Sequence, residues 1–424
     1  MTQGDTESYL IPGRSLLLQG TFTSGGLPEI DRTPGYSLFA MLTGMIANNV
    51  LLVVLTQIVV SMLSLWLIYR ISSRIFENPA VPSVAAWLYA LEPLSLLFTV
   101  RLMPETLFTL LLLVAIEGLS AFLSNGKLRF IAYTGVILAA ATYVRPVAYY
   151  LVIPLAIGLT WTSRKQQSVW WKAPALLLLT VMPLLAIWQI RNARMAGYSG
   201  FSSIVEKNLY FYQSAGILAQ VEHASLVSVQ QRLGYPDEAS YLSAHPEQRE
   251  WSQARRLSFM HADAMQVLAS HRWLYLRSHL TGVLVVALTP GVSEWLQVLG
   301  IYPNEASMPH RILDEGLFAS VIRIAHEHTG VFACMFAFEC ALLGLYVMAL
   351  IGCISSGAQR SGVLLLVGVV LYFLLISGGA QAVGRYRLPA MPLICILASG
   401  GIAACKKVWQ NRVLGPASDE GLVG

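Results

Sequence analysis

Charge is what this sequence has least of. Asp, Glu, Lys and Arg make up 12% of its 424 residues, against about a quarter in soluble proteins, while 55% are hydrophobic. That shortage excludes a soluble globular chain and indicates an integral membrane protein. The formal net charge is +5, but the basic residues are scattered at the ends of apolar runs. No stripe or block forms that would bind nucleic acid. Cysteine is also sparse: Cys334, Cys340, Cys353, Cys395 and Cys405 lie in or beside apolar runs without metal-ligand spacing, so neither a disulfide framework nor a zinc site is expected. There is no internal repeat, no low-complexity segment, and no Gly-x-Gly-x-x-Gly after a strand, which removes a Rossmann-type nucleotide site. Only four residues precede Asp5, leaving no room for a cleavable signal peptide. The expectation is either an outward N-terminus inserted by the spans that follow or a chain whose start lies further upstream.

Long apolar runs dominate what is present. Stretches near 50–70, 81–99, 104–123, 129–144, 146–162, 173–190, 330–352, 362–379 and 388–404 read as about nine spans, and 36–47 as a short interfacial helix. Arg70, Arg74, Lys127, Arg129, Arg164, Lys165, Lys172, Arg360, Lys406, Lys407 and Arg412 then share one side, the cytoplasmic one by the positive-inside rule. Trp161, Trp170 and Trp171 fit an interfacial belt. The predicted fold is all-α, a polytopic membrane helix bundle with a mostly helical external cap. It divides into an external acidic loop (1–35), an N-terminal transmembrane core (36–190), an external helical region (191–329), C-terminal transmembrane helices (330–404) and a cytoplasmic tail (405–424). Within the external region, 276–290 is apolar enough to enter the membrane. Spanning would reverse the side of Arg360, Lys406 and Lys407, so a partly buried helix is expected there.

The polar residues that remain are concentrated. Asp5 and Glu7, followed by Asp31 and Arg32, place acidic side chains in one short segment at the mouth of the membrane domain. Arg101, Arg145, Arg385 and Arg387 lie at predicted outer ends of spans, where orientation does not need positive charge. All are Arg, the side chain suited to bidentate phosphate or carboxylate contacts. Arg101 stands four residues before Glu105, at the spacing of a helical ion pair. Glu92, Glu105, Glu117 and Glu339 lie in or at the ends of apolar runs, where an ionisable group needs a cavity or a partner. Glu105 opens a span and favours its N-terminus, whereas Glu117 and Glu339 read as structural or snorkelling. Asp5-x-Glu7 offers oxygen ligands to a divalent cation, but two carboxylates in an extended loop are more often simply solvated, and no metal or cofactor is expected.

In order, Asp5-x-x-x-Tyr9, Arg32-Thr33-Pro34-Gly35-Tyr36, Pro104-Glu105, Tyr143-Val144-Arg145-Pro146, Trp188-x-x-Arg191-Asn192 and Gly384-Arg385-Tyr386-Arg387-Leu388-Pro389 resemble the C-type membrane glycosyltransferases of the protein-mannosyltransferase and aminoarabinose-transferase branch. Ser270 to Tyr275 is similar to that family's His-Pro-x-x-Tyr, with Arg272 in place of the proline. Two features depart from the pattern. The family carries a first transmembrane helix before its acidic motif, and it has Asp-Glu where this chain has Asp5-Thr6 with Glu7 one place later.

The resemblance implies an inverting transfer of a sugar from a polyprenyl-phosphate donor to an acceptor hydroxyl, at the external (periplasmic) face of the plasma (inner) membrane. A lipid phosphate leaves with the help of positive charge, and a hydroxyl nucleophile needs a base. On this reading Asp5 is the base and Glu105 the second acid, while Arg145, Arg385 and Arg387 hold the donor phosphate. Glu7, Tyr9, Asp31, Arg32 and Tyr36 contact acceptor or sugar. Expected partners are the lipid-linked sugar, a hydroxyl acceptor of unknown identity and the bilayer, with no nucleic acid. The competing readings are a transporter or flippase of lipid-linked substrates, which would show paired repeats, and a non-catalytic membrane scaffold.

Overall fold

The computed structural model describes residues 5–163, 171–289, 291–301, 317–355 and 357–413. Arg164, Lys165 and Trp170, read above as topology signals, lie outside the described residues, as does the tail from 414. The protein is an all-α, multi-pass membrane protein, with one two-stranded hairpin (Thr23–Ser24 with Leu27–Pro28) among the described residues.

The chain begins with α1 (Thr6–Gln19) and α2 (Pro34–Thr43), then enters the bundle through α3 (Val50–Ile75), a pair α4 (Val81–Ala90) and α5 (Pro93–Val100), α6 (Glu105–Asn125), α7 (Arg129–Val144), α8 (Val152–Ser163) and α9 (Lys172–Ala196). Among the described residues, five helices are long and apolar enough to cross a membrane: α3, α6, α9, Thr329–Ile354 and Met391–Val413. The 81–99 stretch is bent by 59° between α4 and α5. Its cause is local: Pro93 disfavours helical backbone at Glu92, which instead caps α5 by accepting the Ser95 N–H at 2.6 Å. Likewise α7 stops at Val144 because Pro146 follows Arg145, and the chain resumes at once as a 3-10 turn, Pro146–Leu151.

The segment 1–35, expected as a loop, carries helix over Thr6–Gln19 and a short hairpin after it. Thr6, Tyr9, Leu10, Pro12 and Gly13 form one buried face, and α1 packs on α2. A Cβ on Gly13 would lie 3.0 Å from Met41 Cγ, so glycine lets the two helices close. Nor is 36–47 merely interfacial. Tyr36, Ser37, Ala40 and Met41 of α2 are buried, and a Cβ on Gly35 would sit 2.6 Å from the carbonyl oxygen of Tyr143. The Thr-Pro-Gly-Tyr run therefore seats α2 directly on the end of α7.

Between the two groups of spans lies a cap of short helices: α10 (Ile204–Asn208), α11 (Ala215–Glu222), α12 (Leu226–Arg232), α13 (Glu238–Ala244) and α14 (Gln253–Ser270). Tyr210, Phe211, Tyr241, Leu257 and Met260 form its own core. The next helix, α15 (Arg272–Leu288), is followed by α16 (Val292–Val298), α17 (Leu317–Glu327), α18 (Thr329–Ile354), α19 (Arg360–Ile376) and α20 (Met391–Val413). His279 Nε2 is 2.9 Å from the carbonyl of Leu375 at the end of α19, while the far end of α15 meets Arg387 just before α20. Both contacts fasten α15 to the C-terminal helices.

Candidate functional site

Beneath the cap is a cavity of about 1290 Å³, walled by Asp5, the turn before α2, the end of α5, the cap, α16 and the turn 380–386. Asp5 stands at its edge, immediately before α1. Four residues make one helical turn, so Ser8 and Tyr9 follow Asp5 on the same face. Arg32 lies along that face: Nε donates to Ser8 Oγ at 3.0 Å, one terminal nitrogen to Tyr9 Oη at 3.2 Å, and the other to Asp5 Oδ1 at 3.3 Å. Its guanidinium also covers the Tyr9 ring, 4.7 Å from the centroid. Arg385, from the 3-10 turn Gly384–Arg387, donates to the second Asp5 oxygen at 2.9 Å. One carboxylate is thus held between two arginines that come from opposite ends of the sequence.

Burial favours a neutral Asp5, but Arg385 and Arg32 outweigh it and hold the carboxyl below its usual range. The converse holds for Arg385: burial favours its neutral form, yet the surrounding Tyr386, Glu105 and Asp5 raise its pKa further. Asp5 is therefore an anion at neutral pH. Its side chain is 37% exposed. Behind it Glu105, at the start of α6, pairs with Arg145 at 3.4 Å and is only 3% exposed. Across the cluster, the carboxylates Asp5 and Glu105 face the guanidiniums Arg32, Arg145 and Arg385, which leaves one positive charge unmatched.

The other residues expected at the site separate into layers. Asp31 faces the cavity and ties the N-terminal segment to the cap, accepting from Ser203 Oγ and Lys207 Nζ, with its carbonyl accepting from Ser202 Oγ at 2.5 Å. Tyr36 is fully buried and donates to Gln57 Oε1 at 2.9 Å, so it supports the floor. Glu7 is exposed on the first turn of α1. Arg101 pairs with Glu294 of α16 instead of Glu105, because Arg101 is extended and lies outside the helix that Glu105 begins. Arg387 does not line the cavity. It is almost fully buried and donates to the carbonyls of Val286, Ala287 and Thr289, the end of α15 where free carbonyls attract a cation. Glu117 joins Arg70 and Arg74 at the opposite end of the spans. His271, in the His-Pro-x-x-Tyr-like stretch, has Nδ1 3.1 Å from the Val267 carbonyl and closes α14. Among the described residues, no three His, Cys, Asp or Glu side chains gather in a metal-binding group.

Sequence reasoning missed several supporting residues. Glu29 accepts the backbone N–H of Asp31 (2.7 Å) and Arg32 (2.9 Å), forming the turn that aims Arg32. Arg191 donates to the carbonyls of Phe22 and Glu29, each at 2.6 Å, and so anchors the hairpin. Gln57 accepts from Tyr36 and donates to the carbonyls of Thr99 (2.9 Å) and Arg101 (2.7 Å), bracing the bend after α5. A glutamine inside a 26-residue apolar helix was a signal available in the sequence. From the cap come Tyr212 and Tyr235, whose hydroxyls are 2.9 Å apart, and Arg256, paired with Glu238 at 2.8 Å.

Residues 31–188 match the family model described as dolichyl-phosphate-mannose-protein mannosyltransferase. No curated protein matches the chain. Among solved structures it is similar to the archaeal oligosaccharyltransferase AglB from Archaeoglobus fulgidus, in complex with an inhibitory peptide and a dolichol-phosphate. The identity is 9% and the TM-score 0.48, over 96% of this chain and 48% of that one. The chain thus spans about half the length of that structure. The matched segment runs from Asp31 through the α2 seat, Glu105 and Arg145 to Trp188, and over it the chain resembles the protein-mannosyltransferase branch of the C-type membrane glycosyltransferases.

Proposed function

We propose that this protein transfers a sugar from a polyprenyl phosphate to an acceptor hydroxyl, with inversion, in the cavity beneath the cap and on the external side of the membrane. The observation that carries the reading is the Asp5 carboxylate held between Arg32 and Arg385 at the cavity wall. Arg32 is fixed at three points and orients Asp5. Arg385 holds Asp5 by one contact and exchanges it for the donor phosphate when the lipid binds. That exchange frees Oδ2 and removes the nearest positive charge from it, so Asp5 becomes more basic when the donor is in place. The acceptor hydroxyl attacks the anomeric carbon opposite the phosphate, Asp5 takes its proton, and the bond to the phosphate oxygen breaks. The lipid phosphate leaves with its charge met by Arg385. Glu105 holds Arg145 in place behind the reacting groups, and the reading invokes no cofactor.

Arg101, Lys207 and Arg256 are each neutralised by a cavity acid, so the unmatched charge beside Asp5 is the natural phosphate position. Tyr212 and Tyr235 on the cap wall offer aromatic rings to a sugar or acceptor.

The test is turnover by the purified chain in vesicles against a panel of polyprenyl-phosphate sugars. Release of polyprenyl phosphate with one donor, dependent on an added acceptor, supports the reading. Movement of the intact lipid-linked sugar between leaflets without release would show a flippase. The membrane side is checked separately in a cysteine-free background. A cysteine at exposed Ser243 of the cap should label from outside and one at exposed Ser73, at the far end of α3, should not; the reverse pattern would place the cavity on the cytoplasmic side.

A further inference from the structure

A second cavity, of about 630 Å³, lies at the other end of the bundle between α3, α6 and α7. Its wall carries Arg70 and Arg74 from α3, Glu117 from α6 and Arg129 from the start of α7, with Trp66 and Tyr133 exposed beside them. The floor exists because Gly118 brings α6 and α7 together: a Cβ there would lie 2.4 Å from Thr134 Oγ1. Glu117 is about 12 residues beyond Glu105 on one helix, roughly 18 Å along its axis, so this site is distinct from the Asp5 cavity.

A plain ion pair does not account for the charge. Glu117 Oε1 receives both Arg70 (2.7 Å) and Arg74 (3.0 Å), which leaves this group positive. Arg129 packs over the Phe130 ring at 5.1 Å and has no carboxylate partner among the described residues. Arg70, Arg74 and Arg129 against Glu117 amount to a local charge of +2. The surrounding surface is apolar: Leu63, Trp66 and Tyr133 are exposed on helices of a membrane bundle and therefore face lipid. Trp66 also lies under the Arg70 guanidinium, 4.8 Å from its ring centroid. Charge and apolar walls together specify a ligand with an anionic head and hydrocarbon chains.

We propose that this cavity is a binding site for an anionic phospholipid, its phosphate on Arg70 and Arg129 and its chains along Trp66 and Tyr133. Arginine recognises phosphate through paired N–H donors, and aromatic rings at the ends of spans sit at headgroup depth. Glu117 sets the affinity by withholding one of the three positive charges. The site is independent of the proposed sugar transfer.

The experiment exposes the purified full chain to an equimolar mixture of phosphatidylglycerol and phosphatidylcholine and measures the retained lipid by mass spectrometry. An arginine near the membrane surface is worth about fivefold in affinity for an anionic lipid, so two unmatched charges predict about a 25-fold preference for phosphatidylglycerol. Arg129→Gln, at an exposed residue with no ion pair to lose, should cut the preference about fivefold. Arg70→Gln combined with Arg129→Gln should abolish it, and Glu117→Gln should raise it. Equal retention of the two lipids by the parent, or an unchanged preference in Arg129→Gln, would overturn the proposal. So would displacement of phosphatidylglycerol by inorganic phosphate, which would mark a site for a soluble anion.

Discussion

Two carboxylate–arginine groups lie side by side in this molecule, and they differ in access. Asp5 meets Arg32 and Arg385 with its side chain 37% exposed at a cavity. Glu105 meets Arg145 with 3% of its side chain exposed, and Glu105 Oε2 is buried without a hydrogen-bond partner. The residue types are the same, but only the first group can touch a substrate. From the sequence, Asp5 was the expected base and Glu105, at the head of a span, the second acid. The surroundings of Glu105 make it a counter-ion that holds Arg145 in place.

The largest expected effect breaks the buried group. Glu105→Ala leaves Arg145 uncompensated, and removal of one partner of a buried ion pair typically costs about 3–5 kcal/mol. Glu105→Ala should therefore lose folded protein, measured as the monodisperse fraction after detergent extraction, and Asp5→Ala should lose clearly less. Equal losses would erase the distinction between the two groups.

The next effect separates the arginines. Arg385→Lys keeps the charge but not the planar fork, so donor binding should weaken about tenfold or more with folding preserved. Arg387→Lys should leave donor affinity unchanged and lower thermal stability, since Arg387 holds the end of α15. Unchanged donor affinity in Arg385→Lys would remove Arg385 from the phosphate contact.

A smaller effect concerns pH. Asp5 is depressed by Arg385 and Arg32 against its burial, so its contribution to stability is present at neutral pH and is lost as pH falls through the depressed value. Arg385→Gln removes the larger depressing charge. The acid limb of kcat/KM should then move to higher pH, and an unmoved limb would show that a different group titrates.

The helical fold was legible because apolar runs of span length leave little choice in lipid. The bend at Glu92-Pro93 and the stop at Arg145-Pro146 were also written locally, in proline. Helix α1 was not, because its short apolar and Gly/Pro-containing sequence gains a buried face only where α2 packs on it. The site was legible as residue types in order. Its pairing was not: Asp5 and Arg385 are 380 positions apart, and Arg387, two residues further on, projects into a helix end. Charge pattern and span parity put both arginines at one end of the bundle, but only packing decides which one reaches the cavity.

The account rests on Asp5 as the proton acceptor, and the direct measurement is sugar transfer by Asp5→Asn in the full chain reconstituted in vesicles. Asn keeps size and most hydrogen bonding but cannot take the proton. General-base assistance is typically worth about a hundred- to ten-thousand-fold. Turnover should fall at least about a hundredfold, with donor binding retained and folded protein unchanged. Transfer at the parent rate would contradict the assignment.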